Sequence, residues 1–348
     1  MNDKTLATPP SPLSRKPQTT KTRKSSPSAP PTLVGLDVGY GYVKISCEDR
    51  VVSYPSVVSP IEPTSISLVL GDQHNVVDLE GQQYQVGEDA VTAAFRFREQ
   101  YDSWWGSPAY QALVAFAQRH IPSGSFLVTG LPLHIYTATK AQSQVQALVK
   151  HILRAKHVEV LSQGIGAYCH VLHQYPELQG CRIALVDIGM RTTELIGMSG
   201  TQFLPRSSTG LVMGIGTLLQ KAAYTVSQKL GRTVDAYEID WALRQTKPLH
   251  VRGTTLAHNE VMEIIRSDRK DFIASVRQEM TRLWDDRVSD FDEIVFCGGG
   301  STMLQEEFKV LYPNARLLAD ATFANVKGYL QYAQWQHAER DDEHTQES

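Results

Sequence analysis

The segment Arg182–Glu194, RIALVDIGMRTTE, organises the rest of the chain. It begins as an apolar run short enough for a buried strand, then places an aspartate, a glycine and two threonines in a turn before the apolar pair Leu195–Ile196. The pattern predicts strand, tight turn and strand, with the Asp187 carboxylate at the tip. Glycine lets backbone N–H groups approach an oxyanion, threonine adds donors, and a carboxylate holds Mg²⁺ directly or through water. Because Asp and Gly are common in hairpin turns, this turn alone indicates an ordinary hairpin as readily as a phosphate site.

The same pattern occurs earlier in the chain. Leu33–Ile45, LVGLDVGYGYVKI, is again an apolar run, an Asp-x-Gly turn beginning at Asp37, and a second strand. Two copies predict a duplicated domain with two phosphate-binding turns that face each other.

Length and composition exclude several classes of protein. The chain has 348 residues, enough for two domains, with 42% hydrophobic and 20% charged residues, which is ordinary for a soluble globular protein. A net charge of −3 argues against a strongly basic nucleic-acid binder. The four cysteines, which form no Cys-x-x-Cys pair and indicate buried thiols in a reducing cytoplasm, are Cys47, Cys169, Cys181 and Cys297. No apolar run is long enough to span a bilayer and no signal peptide is visible, so we expect a cytoplasmic protein without a membrane partner.

Residues 1–31 form a basic tail rich in Pro, Ser and Thr. They include almost no large apolar side chains, so we expect them to be disordered. Such a tail can contact nucleic acid or an acidic partner, but a solvated spacer is the favoured interpretation.

The remaining pattern predicts alternating strands and helices. The predicted strands are 32–38, 42–47, 51–54, 65–70, 82–86, 125–129, 157–161 and 293–297. The predicted helices are one from Ser107-Pro108, then 136–153, one from the segment at 162–168, one from Gly214 to about Leu230, 234–246, 256–285 and a closing helix.

Three further features point to a ligand. Gln163 lies where a helix begins, and a helix N-terminus attracts negative charge. Its amide is either a polar cap or a group that orients water against a phosphate. Gly214 and Gly216 open another helix, a weak signal for nucleotide approach. The buried strand at 293–297 ends in Gly298–Gly300, which leaves room for a flat or ribose-like ligand, and Ser301 is expected to cap the next helix.

The order of these motifs resembles the actin-like ATPase superfamily over about residues 32–336. The resemblance implies an α/β fold, a duplicated ribonuclease H-like pair of domains with a nucleotide cleft between them. The implied boundaries are a disordered tail at 1–31, domain I at 32–180 with the closing helix at 320–336 packed back on it, domain II at 181–319, and a frayed polar tail at 337–348.

Within the superfamily, the motif sequences are most similar to those of the ParM/StbA plasmid-segregation group. The similarity lies in Asp37–Lys44, Tyr54–Ser56, Gly299–Gly300 and Ala324–Gly328. It implies an ATP-dependent filament that assembles head to tail and segregates plasmid DNA indirectly, through a DNA-binding adaptor of ParR type. The alternatives are an MreB-like cytoskeletal filament, a small-molecule kinase of the same fold and a weakly hydrolysing nucleotide-binding scaffold. MreB usually binds membrane through an amphipathic segment, and none is visible here.

The resemblance also implies roles for individual residues, with ATP and Mg²⁺ as ligands. The implied catalytic residues are Asp187, beside the metal-bound water, Gln163, which would orient the attacking water and suggests slow hydrolysis, and Asp37, in the Mg²⁺ shell. Asp37 and Asp187 would hold the metal through water. The implied phosphate-binding residues are Gly39, Tyr40, Gly41, Tyr42, Lys44, Gly189, Thr192 and Thr193. The implied adenosine-binding residues are Gly214, Gly298, Gly299 and Gly300.

Met190-Arg191 departs from the superfamily pattern, which often has a small residue after the second Asp-x-Gly. We expect Arg191 to point to solvent or to a carboxylate at the domain edge, because exposed arginine is the common case. The alternative is an arginine beside the γ-phosphate, where such a charge can be worth ~10³ or more in rate.

Overall fold

The structure is a computed structural model that describes residues 30–61, 75–91, 93, 96, 101–246, 248–251, 254–285 and 290–346. The strand expected at 65–70 and the tail before residue 30 lie outside the described residues.

Sixteen strands are described, in two large and two small sheets. Those of the first half are β1 (Leu33–Val38), β2 (Tyr42–Cys47), β3 (Arg50–Pro55), β4 (Val58–Pro60), β5 (Val76–Leu79), β6 (Gln82–Val86), β7 (Phe126–Leu131) and β8 (His157–Ser162). Those of the second half are β9 (Arg182–Ile188), β10 (Thr193–Ser199), β11 (Gln202–Phe203), β12 (Thr209–Leu211), β13 (Leu249–Val251), β14 (Thr254–Leu256), β15 (Glu293–Cys297) and β16 (Arg316–Leu317).

The described residues also form eleven α-helices, which lie between and after these strands. They are α1 (Glu88–Val91), α2 (Pro108–Ala117), α3 (Leu133–Tyr136), α4 (Thr139–Leu153), α5 (Ile165–Gln174), α6 (Ile215–Leu230), α7 (Ala236–Arg244), α8 (His258–Trp284), α9 (Gly298–Met303), α10 (Gln305–Leu311) and α11 (Ala324–Gln346).

The two large sheets have the same strand order. The first runs β3-β2-β1-β7-β8 and the second β11-β10-β9-β15-β16, with β12 also paired to β10. In each, an antiparallel hairpin, β1–β2 or β9–β10, is extended by parallel strands on the side of its first strand. The duplication predicted from the two Asp-x-Gly segments is therefore confirmed. The hairpins even share their register, because Asp37 lies opposite Lys44 and Asp187 opposite Glu194.

Helices cover both faces of each sheet. The outer cores form where α2 and α4 pack against the first sheet and where α6 and α8 pack against the second. On the inner faces, α11 packs against β1 and β7, α5 packs against β9 and β10, and the two helices contact each other. Gly328 makes this close approach possible, because a Cβ there would collide with the carbonyl oxygen of Gly166. The pair α5–α11 thus connects the two halves of the molecule.

Local signals explain several helix ends. Ser107 caps α2 by accepting a hydrogen bond from the Tyr110 amide, and Pro108 occupies the first turn. Gly231, with φ of +64°, ends α6 in the left-handed conformation. These predicted ends of α2 and α6 are confirmed.

Two local expectations differ from the structure. The helix α9 begins at Gly298, so Ser301 lies inside it and does not cap it. The helix α11 continues to Gln346 and includes most of the segment 337–348 that we expected to be frayed. Among the described residues, no helix combines the length and the apolar character needed to cross a bilayer.

Candidate functional site

Both hairpin turns border one cavity of about 620 Å³, part of it open to solvent. The lining residues are Asp37, Gly39, Tyr40, Gly41, Tyr42, Lys44, Gln163, Met190, Arg191, Thr192, Ile215, Asp240, Arg244, Gly299, Gly300, Thr322 and Asn325. Many of the residues predicted from sequence are therefore brought together.

Asp37 joins the first turn to the segment that precedes α5. The side chain is buried, with Oδ2 accepting from Lys44 Nζ at 3.0 Å and Oδ1 accepting from Gln163 Nε2 at 3.1 Å. The backbone N–H of Gln163 donates to the carbonyl of Leu131 at 2.7 Å, which fixes the start of its side chain. Three residues far apart in sequence thus form one hydrogen-bonded group at the cavity.

Asp187 is buried and is not among the residues that line the cavity. Its Oδ2 accepts a hydrogen bond of 2.5 Å from Asn325 Nδ2. Burial raises the pKa of Asp187, the hydrogen bond from Asn325 and the charge of Lys44 oppose that rise, and the charge of Asp37 adds to it. The two aspartates are therefore close enough to repel each other, an arrangement that a cation would relieve.

This donor set fits a Mg²⁺ ion held chiefly through water. Among the described residues, no three His, Cys, Asp or Glu side chains are grouped to hold a metal. Mg²⁺ usually keeps several waters and takes one or two carboxylates together with substrate phosphates. Asp37 and Asp187 can supply that number of carboxylates.

The two turns close in the same way. The amide of Gly39 donates to the carbonyl of Tyr42 at 3.2 Å, and the amide of Gly189 donates to the carbonyl of Thr192 at 2.8 Å. Both amides are therefore used inside their own turns, including that of Gly39, which was expected to donate to a phosphate.

The two threonines of the second turn have different surroundings. Thr192 lines the cavity, whereas Thr193 is fully buried and its Oγ1 donates to the carbonyl of Met213 at 2.6 Å. Thr193 therefore anchors the chain that leads into α6, and it is not among the residues that line the cavity.

The glycines expected at the adenosine also divide into two groups. Gly299 and Gly300 line the cavity, but Gly214 and Gly298 do not. A Cβ at Gly214 would lie 2.5 Å from the backbone of Met190, and one at Gly298 would strike Oδ1 of Asp187. The missing side chains of Gly214 and Gly298 therefore allow the residues of the second turn to pack closely against them. The N-terminus of α6 is likewise engaged by that turn, because the Gly216 amide donates to the Met190 carbonyl at 2.7 Å.

Sequence reasoning missed Asp240 and Arg244, which α7 places on one face four residues apart. Arg244 Nε donates to Oδ2 of the buried Asp240 at 2.9 Å, and its guanidinium lies 4.4 Å from the centre of the Tyr42 ring. A Cβ at Gly299 would lie 3.4 Å from the Arg244 guanidinium. The spacing of these charges was visible in the sequence, but it is also typical of a solvated helix face.

Asn325 was quoted for the resemblance but given no role. Its Oδ1 accepts from the amides of Gly164 and Ala167, both at 3.0 Å, while its Nδ2 holds Asp187. It therefore caps α5 from a position more than 150 residues away.

Glu194 was also missed, and it lies directly across the hairpin from Asp187. Burial raises its pKa to about 8, while the Leu133 amide, which donates to Oε2 at 3.1 Å, opposes the rise. The carboxyl group is therefore mainly protonated at neutral pH.

Arg191 contacts the opposite turn. Its guanidinium lies 4.9 Å from the centre of the Tyr40 ring, on the opposite turn, and it lines the cavity. The neighbouring Met190 also meets that turn, because a Cβ at Gly41 would lie 3.0 Å from the Met190 Cβ. The residues that depart from the superfamily pattern thus form the contact between the two turns.

Two family models match this architecture. Residues 35–172 match the N-terminal domain of actin-like proteins, and residues 185–310 match the C-terminal domain of archaeal MreB-like actin homologues. The chain belongs to the actin-like superfamily, as the order of its motifs predicted.

Solved structures share the fold over nearly their whole length. A 15-stranded ParM filament from Clostridium botulinum matches with a TM-score of 0.71 and 20% identity, over 88% of this chain and 99% of that one. A non-polymerisable quadruple mutant of pCBH ParM matches at 0.70 and 20%, over 88% and 100%. An archaeal actin homologue in complex with ADP matches at 0.67 and 21%, over 87% and 99%. The predicted actin-like fold is confirmed. No curated protein matches this sequence significantly.

Proposed function

We propose that this protein binds Mg²⁺-ATP between its two hairpin turns and hydrolyses it slowly. The observation that carries the proposal is the pair Asp37 and Asp187, which occupy equivalent positions of the two hairpins and repel each other electrostatically. Both hairpin turns border one cavity, which Asp37 and Gln163 line. Hydrolysis of a phosphoanhydride requires positioned water and charge stabilisation and little covalent chemistry from the protein.

In this proposal different sides of the cavity bind different parts of the nucleotide. Lys44 and Thr192 offer a cation and a hydroxyl to the phosphates, and Asp37 and Asp187 hold Mg²⁺, which supplies positive charge. The adenosine occupies the side formed by Arg244 and Gly299. Gln163 orients the attacking water; because an amide cannot accept the proton, slow turnover follows.

Nucleotide binding closes the cleft between the two halves, which we propose to be domains at 32–180, together with α11, and 181–319. In the structure the hydroxyl of Tyr237 on α7 donates to the Tyr40 carbonyl at 3.0 Å. Two aromatic residues of α7, Tyr237 and Trp241, also pack against a small apolar cluster of the first half. A ligand that contacts both turns favours this closed arrangement.

The closed form assembles head to tail. A heterologous contact that does not close on itself produces a filament, and one of the structurally similar proteins is a ParM filament. In the plasmid-segregation role, a ParR-type adaptor in the cytoplasm connects the filament to plasmid DNA. A net charge of −3 agrees with indirect DNA contact.

A cytoskeletal filament is the second candidate. The match of residues 185–310 to archaeal MreB-like actin homologues favours it. Deleting the gene separates the two roles: loss of plasmid retention with unchanged cell shape supports segregation, and altered shape with normal retention supports the cytoskeletal role.

Light scattering and phosphate release, recorded together with Mg²⁺-ATP, Mg²⁺-ADP and no nucleotide, test the proposal. We expect scattering that rises with ATP, phosphate release that follows it, and assemblies that persist longer in Gln163→Ala. Phosphate release without scattering would favour a small-molecule kinase, and binding without phosphate release would favour an inert scaffold.

A further inference from the structure

A second cavity adjoins the first cavity, which lies between the two turns. Its volume is about 510 Å³, part of it open to solvent. Four residues line both cavities, namely Tyr42, Lys44, Arg244 and Thr322. Because the two cavities have this common border, a ligand bound at the turns can extend from the first into the second.

The two cavities differ in chemical character. The first is lined mainly by glycines and by charged or polar side chains, which suit phosphates. The second is lined by three half-buried aromatic side chains, Tyr42, Trp241 and Phe323, and by the buried Pro55. Aromatic faces suit a planar heterocycle, because every nucleic-acid base has a π-face that can stack on them.

Trp241 is supported by the core on one side. It packs against the apolar cluster of Val57, Ala90 and Val91 in the first half, and it also lines the second cavity. A side chain that is already packed offers its ring for stacking without a large loss of side-chain entropy on binding. Trp241 is therefore the aromatic residue best prepared to hold a base.

The border between the cavities coincides with the place proposed for the adenosine. A Cβ at Gly299 would lie 3.4 Å from the Arg244 guanidinium and 3.9 Å from Thr322 Oγ1. A ribose at this border, with its phosphates at the turns, directs the base into the second cavity. The exposed polar side chains of Glu88 and Gln245 also line that cavity and can hydrogen-bond the polar edge of a base.

We propose that the second cavity holds the base of the nucleotide, stacked on Trp241, with Phe323 as a further wall. The cavity favours purines over pyrimidines, because the larger ring system buries more area against the aromatic side chains. The inference rests on the proposed nucleotide site and adds to it the residues that select the base.

Titration calorimetry on the full chain in excess Mg²⁺ tests the inference with three ligands. They are a non-hydrolysable ATP analogue, the corresponding CTP analogue and inorganic tripolyphosphate, which has no base. The variants are Trp241→Leu, Trp241→Phe, Phe323→Leu and the matched control Trp335→Leu, which changes the same residue type at a site on α11 that is 41% exposed. Protein concentrations are kept below those at which scattering detects assembly, so that filament formation does not contribute.

We expect wild type and Trp335→Leu to bind the ATP analogue about tenfold or more tightly than tripolyphosphate, with the CTP analogue between them, because stacking on aromatic side chains strengthens base binding. Trp241→Leu should lose about tenfold in affinity for the ATP analogue, and Phe323→Leu should lose less. Trp241→Phe, which keeps an aromatic ring, should retain most of the wild-type affinity. Tripolyphosphate should bind all variants equally.

Three results would overturn the inference and leave the phosphate site standing. The first is wild type that binds the ATP analogue no more tightly than tripolyphosphate or the CTP analogue, a result that needs no variant to fold. The second is unchanged ATP-analogue affinity in folded Trp241→Leu. The third is an equal loss of tripolyphosphate binding in that variant. Failure of the wild type to bind both the ATP analogue and tripolyphosphate would instead overturn the proposed function.

Discussion

Asn325 Nδ2 donates to Asp187 Oδ2 at 2.5 Å, while the other end of the same amide caps α5. One side chain from the closing helix therefore fixes both the carboxylate of the second turn and the start of the helix that follows Gln163. The closing helix is part of the site as well as part of the core.

Asn325→Ala should destabilise the protein and weaken Mg²⁺-nucleotide binding. It leaves a buried carboxylate and two helix N–H groups without their partner, at a cost of about 1–3 kcal/mol in the free energy of unfolding. Denaturant unfolding measures the loss. The exposed Asn314→Ala should change stability by less than about 0.5 kcal/mol. Equal stability of the two variants would show that the Asn325 contacts contribute nothing.

Gly328→Ala should be poorly tolerated, because the added methyl group would meet the backbone of Gly166 in α5. Overpacking of this kind costs about 1–3 kcal/mol. The matched control is Gly106→Ala, since nothing lies within 4 Å of a Cβ there. Thermal unfolding should show a lower midpoint for Gly328→Ala alone. Indistinguishable midpoints would contradict the close contact of α5 and α11.

Glu194→Gln should change how stability depends on pH. The folded-state pKa of Glu194 is raised to about 8 from 4.5, so its contribution to stability is complete below about pH 4.5 and is lost as pH rises toward 8. The loss is about 1.4 kcal/mol per pH unit in that window. Glu194→Gln removes it, so the variant should gain stability relative to wild type from pH 5 to pH 8.

Melting temperatures across that pH range provide the measurement for Glu194. The exposed Glu263→Gln on α8 serves as the control and should follow the wild-type curve. If the curves of Glu194→Gln and wild type ran parallel, a raised pKa at Glu194 would be excluded.

Arg244→Ala should cost more stability than the double variant Asp240→Asn/Arg244→Ala. The single change leaves the buried Asp240 carboxylate without its cation, whereas the double change also removes the charge. The difference should reach about 1–3 kcal/mol in urea unfolding. A double variant less stable than Arg244→Ala would mean that Asp240 is satisfied by other groups.

The sequence predicted the parts of the site that depend on local pattern. Asp37 and Asp187 could be placed at hairpin tips because apolar runs and Asp-x-Gly turns are short-range signals. Gly214 was assigned to the nucleotide because a Gly-x-Gly motif indicates that another group packs close to the backbone but does not identify that group. In the structure the group close to Gly214 is the backbone of Met190. Arg244 was missed because an Asp–Arg pair four residues apart is also typical of a solvated helix face. Asn325 was missed because its partners lie far away in sequence.

The orientation of Arg191 could not be predicted for the same reason. An arginine in a turn is usually exposed, and only the three-dimensional approach of the two turns places the Tyr40 ring beneath it. The sequence showed that Met190-Arg191 departs from the superfamily pattern. Only the three-dimensional structure shows that Arg191 therefore contacts Tyr40.

The most direct test of the central claim is the equilibrium binding of a fluorescent ATP analogue to wild type, Asp37→Asn and Asp187→Asn, each with Mg²⁺ and with EDTA. If the two turns form one nucleotide site, wild type should bind one analogue per chain, chelation of Mg²⁺ should weaken binding, and each variant should lose most of the Mg²⁺ dependence while remaining folded. Wild-type binding that is absent, or that is equally strong in EDTA and in both variants, would contradict the account.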